Sequence, residues 1–216
     1  MLHRRVPPSC ACLIGFVLSS AVARPALGHP HIWITAKAEI VFSDGKVIEI
    51  RHSWKFDAAY SAYAIQGLGS SDGALGADQL RLLAKINTES LGEFGYFTVL
   101  KADDQAQAFL PPRDYAMVLE KGQLTLTYTL PVRMPLFSGQ VLSLEFYDPT
   151  YFASFTLAED DDAIQLVNPP QSCATAVTRP KPVSPSQTFS EAFYQALSAQ
   201  SSFGADFAVK AVVRCR

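Results

Sequence analysis

The chain has 216 residues, 49% of them hydrophobic and 18% charged, with a formal net charge of −2 at pH 7. That length can bury the core of one good-sized domain, and the acidic balance argues against nucleic acid, which demands a basic face. No H-E-x-x-H, P-loop or G-x-G-x-x-G motif occurs, so zinc-protease and phosphate-cradle chemistries have no anchor and an enzyme is not expected.

The N-terminus reads as a secretory signal. Arg4 and Arg5 precede an uncharged stretch from Cys10 to Val22, centred on Leu13 to Leu18. A basic start, a short apolar run and small residues at the exit define a signal peptide. The run is too short to span a bilayer, which takes roughly 20 residues. Two cuts satisfy the small-x-small rule, after Ala21-Val22-Ala23 or after Ala26-Leu27-Gly28. The expected organisation is a signal over 1–28 and one β-rich domain over 29–216, working in the periplasm. Removing Arg4, Arg5 and Arg24 leaves 15 basic and 20 acidic side chains, a formal charge of −5. No later apolar run reaches membrane-spanning length. Of four cysteines only Cys173 and Cys215 remain. In an oxidising compartment such a pair forms a disulfide, here closing a loop of about 43 residues, worth about 4 kcal/mol.

Residues 31–56 predict a β-hairpin around Ser43-Asp44-Gly45-Lys46. A three-residue loop, Asp44 to Lys46, puts Ile34, Ala36, Ala38 and Ile40 on the same face as Ile50, His52, Trp54 and Phe56. That register sets Glu39 opposite Arg51, Ala38 opposite His52 and Trp33 opposite Asp57. His52 then belongs to the apolar face, as a core residue rather than a ligand. Asp57 shares the polar face used by His31.

Residues 57–67 read as a helix with Asp57 as N-cap, 68–76 as a Gly/Ser loop, and 77–91 as a second helix. Strands follow at 96–102, 115–120, 123–130, 140–147, 151–158, 163–167 and 173–178. Residues 180–187 form a Pro-rich linker. A short helix at 188–199, capped by Thr188 with Glu191 three residues on, leads to a last strand at 207–214. The fold class is mainly β (α+β): antiparallel, sandwich-like sheets with two or three helical insertions and one disulfide.

The sharpest chemical signal is His29-Pro30-His31. In extended backbone the two imidazoles project to one side. If His29 becomes the N-terminus, its α-amine adds a third nitrogen. Pro30 has no N–H, so chelation through a deprotonated amide is blocked there. Nitrogen-rich sets suit zinc, nickel, cobalt and copper. Asp57 is the expected carboxylate ligand, His52 a remote one. Glu159 to Asp162 reads as a solvated turn. The segment from Leu68 to Gln79 is similar in outline to a twelve-residue calcium loop, but its first and twelfth positions, Leu68 and Gln79, are not carboxylates, so no calcium is expected.

The start His29-Pro30-His31-Ile32-Trp33-Ile34, with Arg51-His52-Ser53-Trp54-Lys55-Phe56-Asp57, Glu93-Phe94-Gly95-Tyr96-Phe97-Thr98, Tyr147-Asp148-Pro149-Thr150-Tyr151-Phe152, Cys173 and Val212-Val213-Arg214-Cys215, resembles a family of exported bacterial proteins with a domain of unknown function. That family is described as the periplasmic component of an ABC-type transport system, often encoded beside nickel/cobalt-type permeases. The resemblance covers essentially the whole mature chain and favours the cut that exposes His29. It implies a divalent transition metal (Zn, Ni, Co or Cu) as cofactor or cargo and an inner-membrane metal permease or ABC-type transporter as partner. It also makes Glu93 a weaker candidate ligand. Two alternatives stand beside it: an envelope interaction protein whose histidines only pack, and a copper enzyme with an N-terminal histidine brace.

Overall fold

The structure is a computed structural model that describes residues 30–68, 75–137, 139–160, 162–170, 172–180, 191–197 and 201–215. The expected signal segment, His29, residues 69–74 of the Gly/Ser loop, all of the linker after Pro180 and the Thr188 cap lie outside them.

Strands β1 (Ile32–Ser43) and β2 (Lys46–Phe56) form the expected hairpin. Ala38 pairs with His52 and Glu39 with Arg51. The turn differs from expectation. Asp44 and Gly45 have φ of 49° and 70°, and Ser43 pairs with Lys46, so the loop has two residues, not three. Asp-Gly is suited to such a turn because both central positions need positive φ. The odd residue is absorbed in the strand: Val41 pairs with Glu49 but Phe42 with Val47, leaving Ile48 as a bulge. A bulge changes the count by one, which restores the register that buries the apolar face.

After β2 come α1 (Ala58–Ala64), α2 (Ala77–Ser90) and a 3₁₀ run, Leu91–Phe97. Next are β3 (Thr98–Ala102), the short β4 (Gln105–Ala106), β5 (Arg113–Glu120) and β6 (Gln123–Phe137). β7 (Leu142–Phe146), β8 (Ala153–Leu157), β9 (Ile164–Val167) and β10 (Cys173–Thr178) follow. The chain closes with α3 (Glu191–Gln195), a 3₁₀ turn at Phe203–Phe207 and β11 (Val209–Cys215).

One sheet has the order β5-β6-β2-β1-β8, with β9 also on β1; the other runs β10-β11-β7-β3-β4. The mainly-β, two-sheet expectation holds. β8 and β9 are parallel to β1, because both return to the hairpin's outer edge after long connections. β6 runs seven residues past its predicted end, through Pro131 and Pro135. Pro131 pairs with Glu49, beside the break in the β2–β6 ladder, where a missing N–H is tolerated.

The facing surfaces bury Trp54, Tyr128, Phe42, Ile40, Ile50, Leu124 and Leu126 from one sheet against Leu100, Leu142, Leu144 and Phe146 from the other. Each fully buried side chain of this size contributes roughly 1.5–3 kcal/mol. On the outer face Glu49 is nevertheless buried, held by ion pairs to Arg51 and Arg113.

Candidate functional site

The start of β1 is fixed on both sides. The N–H groups of His31 and Ile32 donate to the Phe152 carbonyl at 2.8 and 3.2 Å. Across the hairpin, Trp33 N–H donates to Asp57 Oδ2 at 2.9 Å, and Asp57 N–H to the Trp33 carbonyl at 2.9 Å. The other Asp57 oxygen accepts Tyr60 N–H at 2.9 Å, which makes Asp57 the N-cap of α1. Its carboxylate is therefore committed to two backbone donors, and its role here is to lock helix and strand together.

His31 lies with its ring 4.9 Å from that of Phe152, tilted by 40°. Phe152 is presented by a braced turn. Buried Asp148 accepts the Thr150 N–H at 2.8 Å, the Thr150 hydroxyl at 2.8 Å and the Ala153 N–H at 2.9 Å. Tyr151 takes a left-handed φ of 57° to turn the chain. From α1, Tyr60 closes the other side; its hydroxyl donates to Asn87 Oδ1 of α2 at 3.1 Å. The result is a cavity of about 430 Å³ lined by His31, Ile32, Ala59, Tyr60, Tyr63 and Phe152. Trp33 (51% exposed), Tyr63 (75%) and Phe152 (44%) give this end of the molecule an aromatic surface.

His52 lies elsewhere. It is 3% exposed, stacked at 4.6 Å on Tyr128 and edge-on to Trp54 and Phe146. Its strand partner Ala38 is seven residues from His31, roughly 23 Å of strand. Burial pushes its pKa from 6.5 down to about 3, so it is neutral. Thr98 Oγ1 donates to the Tyr96 carbonyl at 2.8 Å and stands 3.4 Å from His52 Nε2. The hydroxyl's one proton is thus engaged, so Nε2 carries the hydrogen and Nδ1, which has no hydrogen-bond partner, is an orphaned acceptor. The sealed ring is a core residue, as the register requires.

Glu93 is exposed on the 3₁₀ run, beside a separate recess of about 230 Å³ that includes Phe94, Phe97 and Tyr147. The run bends where Gly95, Tyr96 and Phe97 all have positive φ, 59°, 59° and 47°. In the expected solvated turn, Asp160 and Asp162 are about half exposed and both pair with Lys37 of β1. Cys173 and Cys215 are disulfide-bonded, S–S 2.01 Å, on paired strands β10 and β11.

Among the described residues no three His, Cys, Asp or Glu side chains converge as a metal-holding group, and no helix is long and apolar enough to cross a membrane. His29, the donor next to His31, lies outside the described residues, as does half of the calcium-like loop, residues 69–74. The donors that can be placed are the His31 imidazole and the Asp57 oxygens' remaining lone pairs. Sequence reasoning missed Phe152, Tyr60 and Tyr63, which wall the cavity, and Asp148, which holds Phe152. Tyr147 to Phe152 reads as a turn motif, but nothing in its spacing says that the turn lands on His31.

The family described as "Protein of unknown function (DUF1007)" matches residues 13–215. A relative from Haemophilus influenzae, described as an "Uncharacterized protein", is 21% identical over 206 residues, covering 94% of this chain and 97% of its own length. The match spans both sheets and the disulfide-bonded Cys173 and Cys215, and on that extent the chain belongs to the DUF1007 family.

Proposed function

We propose that this is a periplasmic metal-handling protein that binds a divalent transition metal (zinc, nickel, cobalt or copper) and serves a membrane transport system. The donors are the imidazoles of His29 and His31, joined by the α-amine if processing exposes His29. The observation that supports this most is the placement of His31. It is exposed, on a strand start pinned by Phe152 and Asp57, and it borders a cavity. A ligand that must be loaded and unloaded needs such access; His52, sealed in the core, lacks it. Nitrogen donors suit these four metals, and they must be deprotonated to bind, so affinity falls on acidification.

A second reading draws on the same end of the molecule. Exposed Trp33, Tyr63 and Phe152 suit a protein interface, with the histidines as packing groups. A competition titration of the processed protein against a chelator at neutral pH separates the two, once mass spectrometry has identified the N-terminus. Metal binding weakened at least tenfold by His31→Ala, with Trp33→Ala unchanged, supports the metal reading. Equal affinity in wild type and His31→Ala removes it and leaves the interface.

A further inference from the structure

The 3₁₀ run Leu91–Phe97 ends in three consecutive left-handed residues: Gly95, Tyr96 and Phe97, with φ of 59°, 59° and 47°. A helix end ordinarily needs one such residue, usually glycine, and bulky side chains are disfavoured there. Strain of this kind persists only where the surroundings over-determine it, and it collects at binding sites. Here it is held from two sides. The Tyr96 carbonyl accepts the Thr98 hydroxyl at 2.8 Å, and the Phe97 carbonyl accepts the Tyr147 N–H at 3.2 Å. The Phe97 ring is anchored on Trp54 and Phe155, with centroids 6.5 and 5.8 Å away. Phe94 lies 5.5 Å from Phe97, tilted by 42°, and stays 37% exposed. The strained turn thus builds one wall of the 230 Å³ recess beside Glu93, and Tyr147 and Pro149 build the other.

Three aromatic side chains and one carboxylate line this recess. Among the described residues the Glu93 carboxylate has no ion pair and no hydrogen bond. One carboxylate among rings is a poor metal site, which takes several donors, and Glu93 repels an anion. Ring faces instead attract a soft organic cation, whose charge is spread over its carbon groups, and Glu93 supplies the counter-charge. We propose that the recess binds an alkylammonium group, with Glu93 as its counter-ion and Phe94, Phe97 and Tyr147 as its walls. Its size, about 230 Å³, falls below the roughly 300–1,000 Å³ of sites for drug-sized molecules, so it takes a compact head group. The walls are set before the ligand arrives, Phe97 by the core and Tyr147 by its bond to the strained turn, which lowers the ordering cost of binding. The recess shares no lining residue with the His31 cavity, so it stands or falls apart from the metal reading.

An NMR titration of the purified protein with choline chloride at fixed ionic strength tests this. Saturable shifts should appear at the amides of residues 93–99 and 147. The uncharged alcohol in which carbon replaces the choline nitrogen should bind about tenfold more weakly. Glu93→Gln and Phe94→Ala should each weaken choline binding about tenfold. Both side chains are exposed, so wild-type urea midpoints in the two variants show that the loss is not one of folding. N-acetyl-lysine amide distinguishes the source of the cation. Tighter binding than choline assigns the recess to a lysine side chain of a partner protein, and weaker binding assigns it to a free quaternary amine; either result supports the alkylammonium site. Equal affinity for choline and the uncharged alcohol, or choline binding unchanged in Glu93→Gln, overturns the proposal. So does the absence of saturable shifts with both cations.

Discussion

Trp33 and Asp57 exchange two hydrogen bonds: the backbone N–H of Asp57 to the Trp33 carbonyl, and the backbone N–H of Trp33 to the Asp57 carboxylate, each 2.9 Å. The second replaces a ladder bond with a charge-assisted one and leaves the other carboxylate oxygen to cap α1. Asp57→Ala removes both acceptors and should cost about 2–3 kcal/mol, the sum of a lost cap and a lost charged hydrogen bond. Asp57→Asn keeps one acceptor and should cost about 1 kcal/mol. Urea unfolding measures both. Unchanged stability in Asp57→Ala would show that the carboxylate is free for another role.

His52 gives the protein a pH-dependent stability of defined sign. Its folded-state pKa, about 3, lies below the 6.5 of the free side chain because burial disfavours the charged form. Between those values the unfolded chain binds the extra proton, so stability falls as pH drops from 6.5 towards 3. By pH 5 this one group should account for a loss of about 2 kcal/mol. His52→Gln, which can keep a hydrogen bond to Thr98, should flatten the pH 7 to 5 slope by about that amount. An unchanged slope would assign the acid sensitivity to other groups.

Gly204 allows the C-terminal segment to dock on the Asp148 turn. A Cβ there would stand 1.7 Å from the Asp148 carbonyl oxygen and 2.7 Å from its carbon, both backbone atoms that cannot swing away. Gly204→Ala should destabilise the protein by about 2–3 kcal/mol, in the overpacking range. Amide hydrogen exchange should show the loss first at residues 203–207. Wild-type exchange there would mean that the segment is not packed against the turn.

Reducing Cys173–Cys215 frees a segment with a sequence separation of 42, so the unfolded chain gains about 4 kcal/mol of loop entropy. The oxidised processed protein should show no free thiols, and a Cys173→Ala/Cys215→Ala double variant should unfold at clearly lower urea. Two titratable thiols in the native, unreduced protein would contradict the pairing.

Much of the first sheet was legible because its pattern is local. Alternation fixed which faces of β1 and β2 are buried, and with it the partners of His52 and Glu39. The two-residue turn was not legible, because a bulge at Ile48 and a longer loop restore the same register. The parallel placement of β8 and β9 was hidden for another reason: short strands of four and five residues carry no mark of direction. The cavity fared worst. His31 is visible in the sequence, but Phe152 reaches it only through a pairing 121 residues distant, from Ile32 to Ala153, and no spacing rule spans that gap.

That same pairing has a kinetic side. β1 meets β2 through a two-residue turn, a contact that closes within microseconds in isolated hairpins, whereas its other edge must wait for β8 and β9. Long-range parallel pairing is slow to form. One half of the strand is therefore expected to be ordered early in refolding and the other half late, and the contact between His31 and Phe152 belongs to the late half. A partly refolded or C-terminally truncated chain would carry the histidine without its aromatic neighbour. Assembly of the His31 pocket thus follows hairpin formation, and an intermediate still lacking β8 would present the imidazole with no Phe152 beside it.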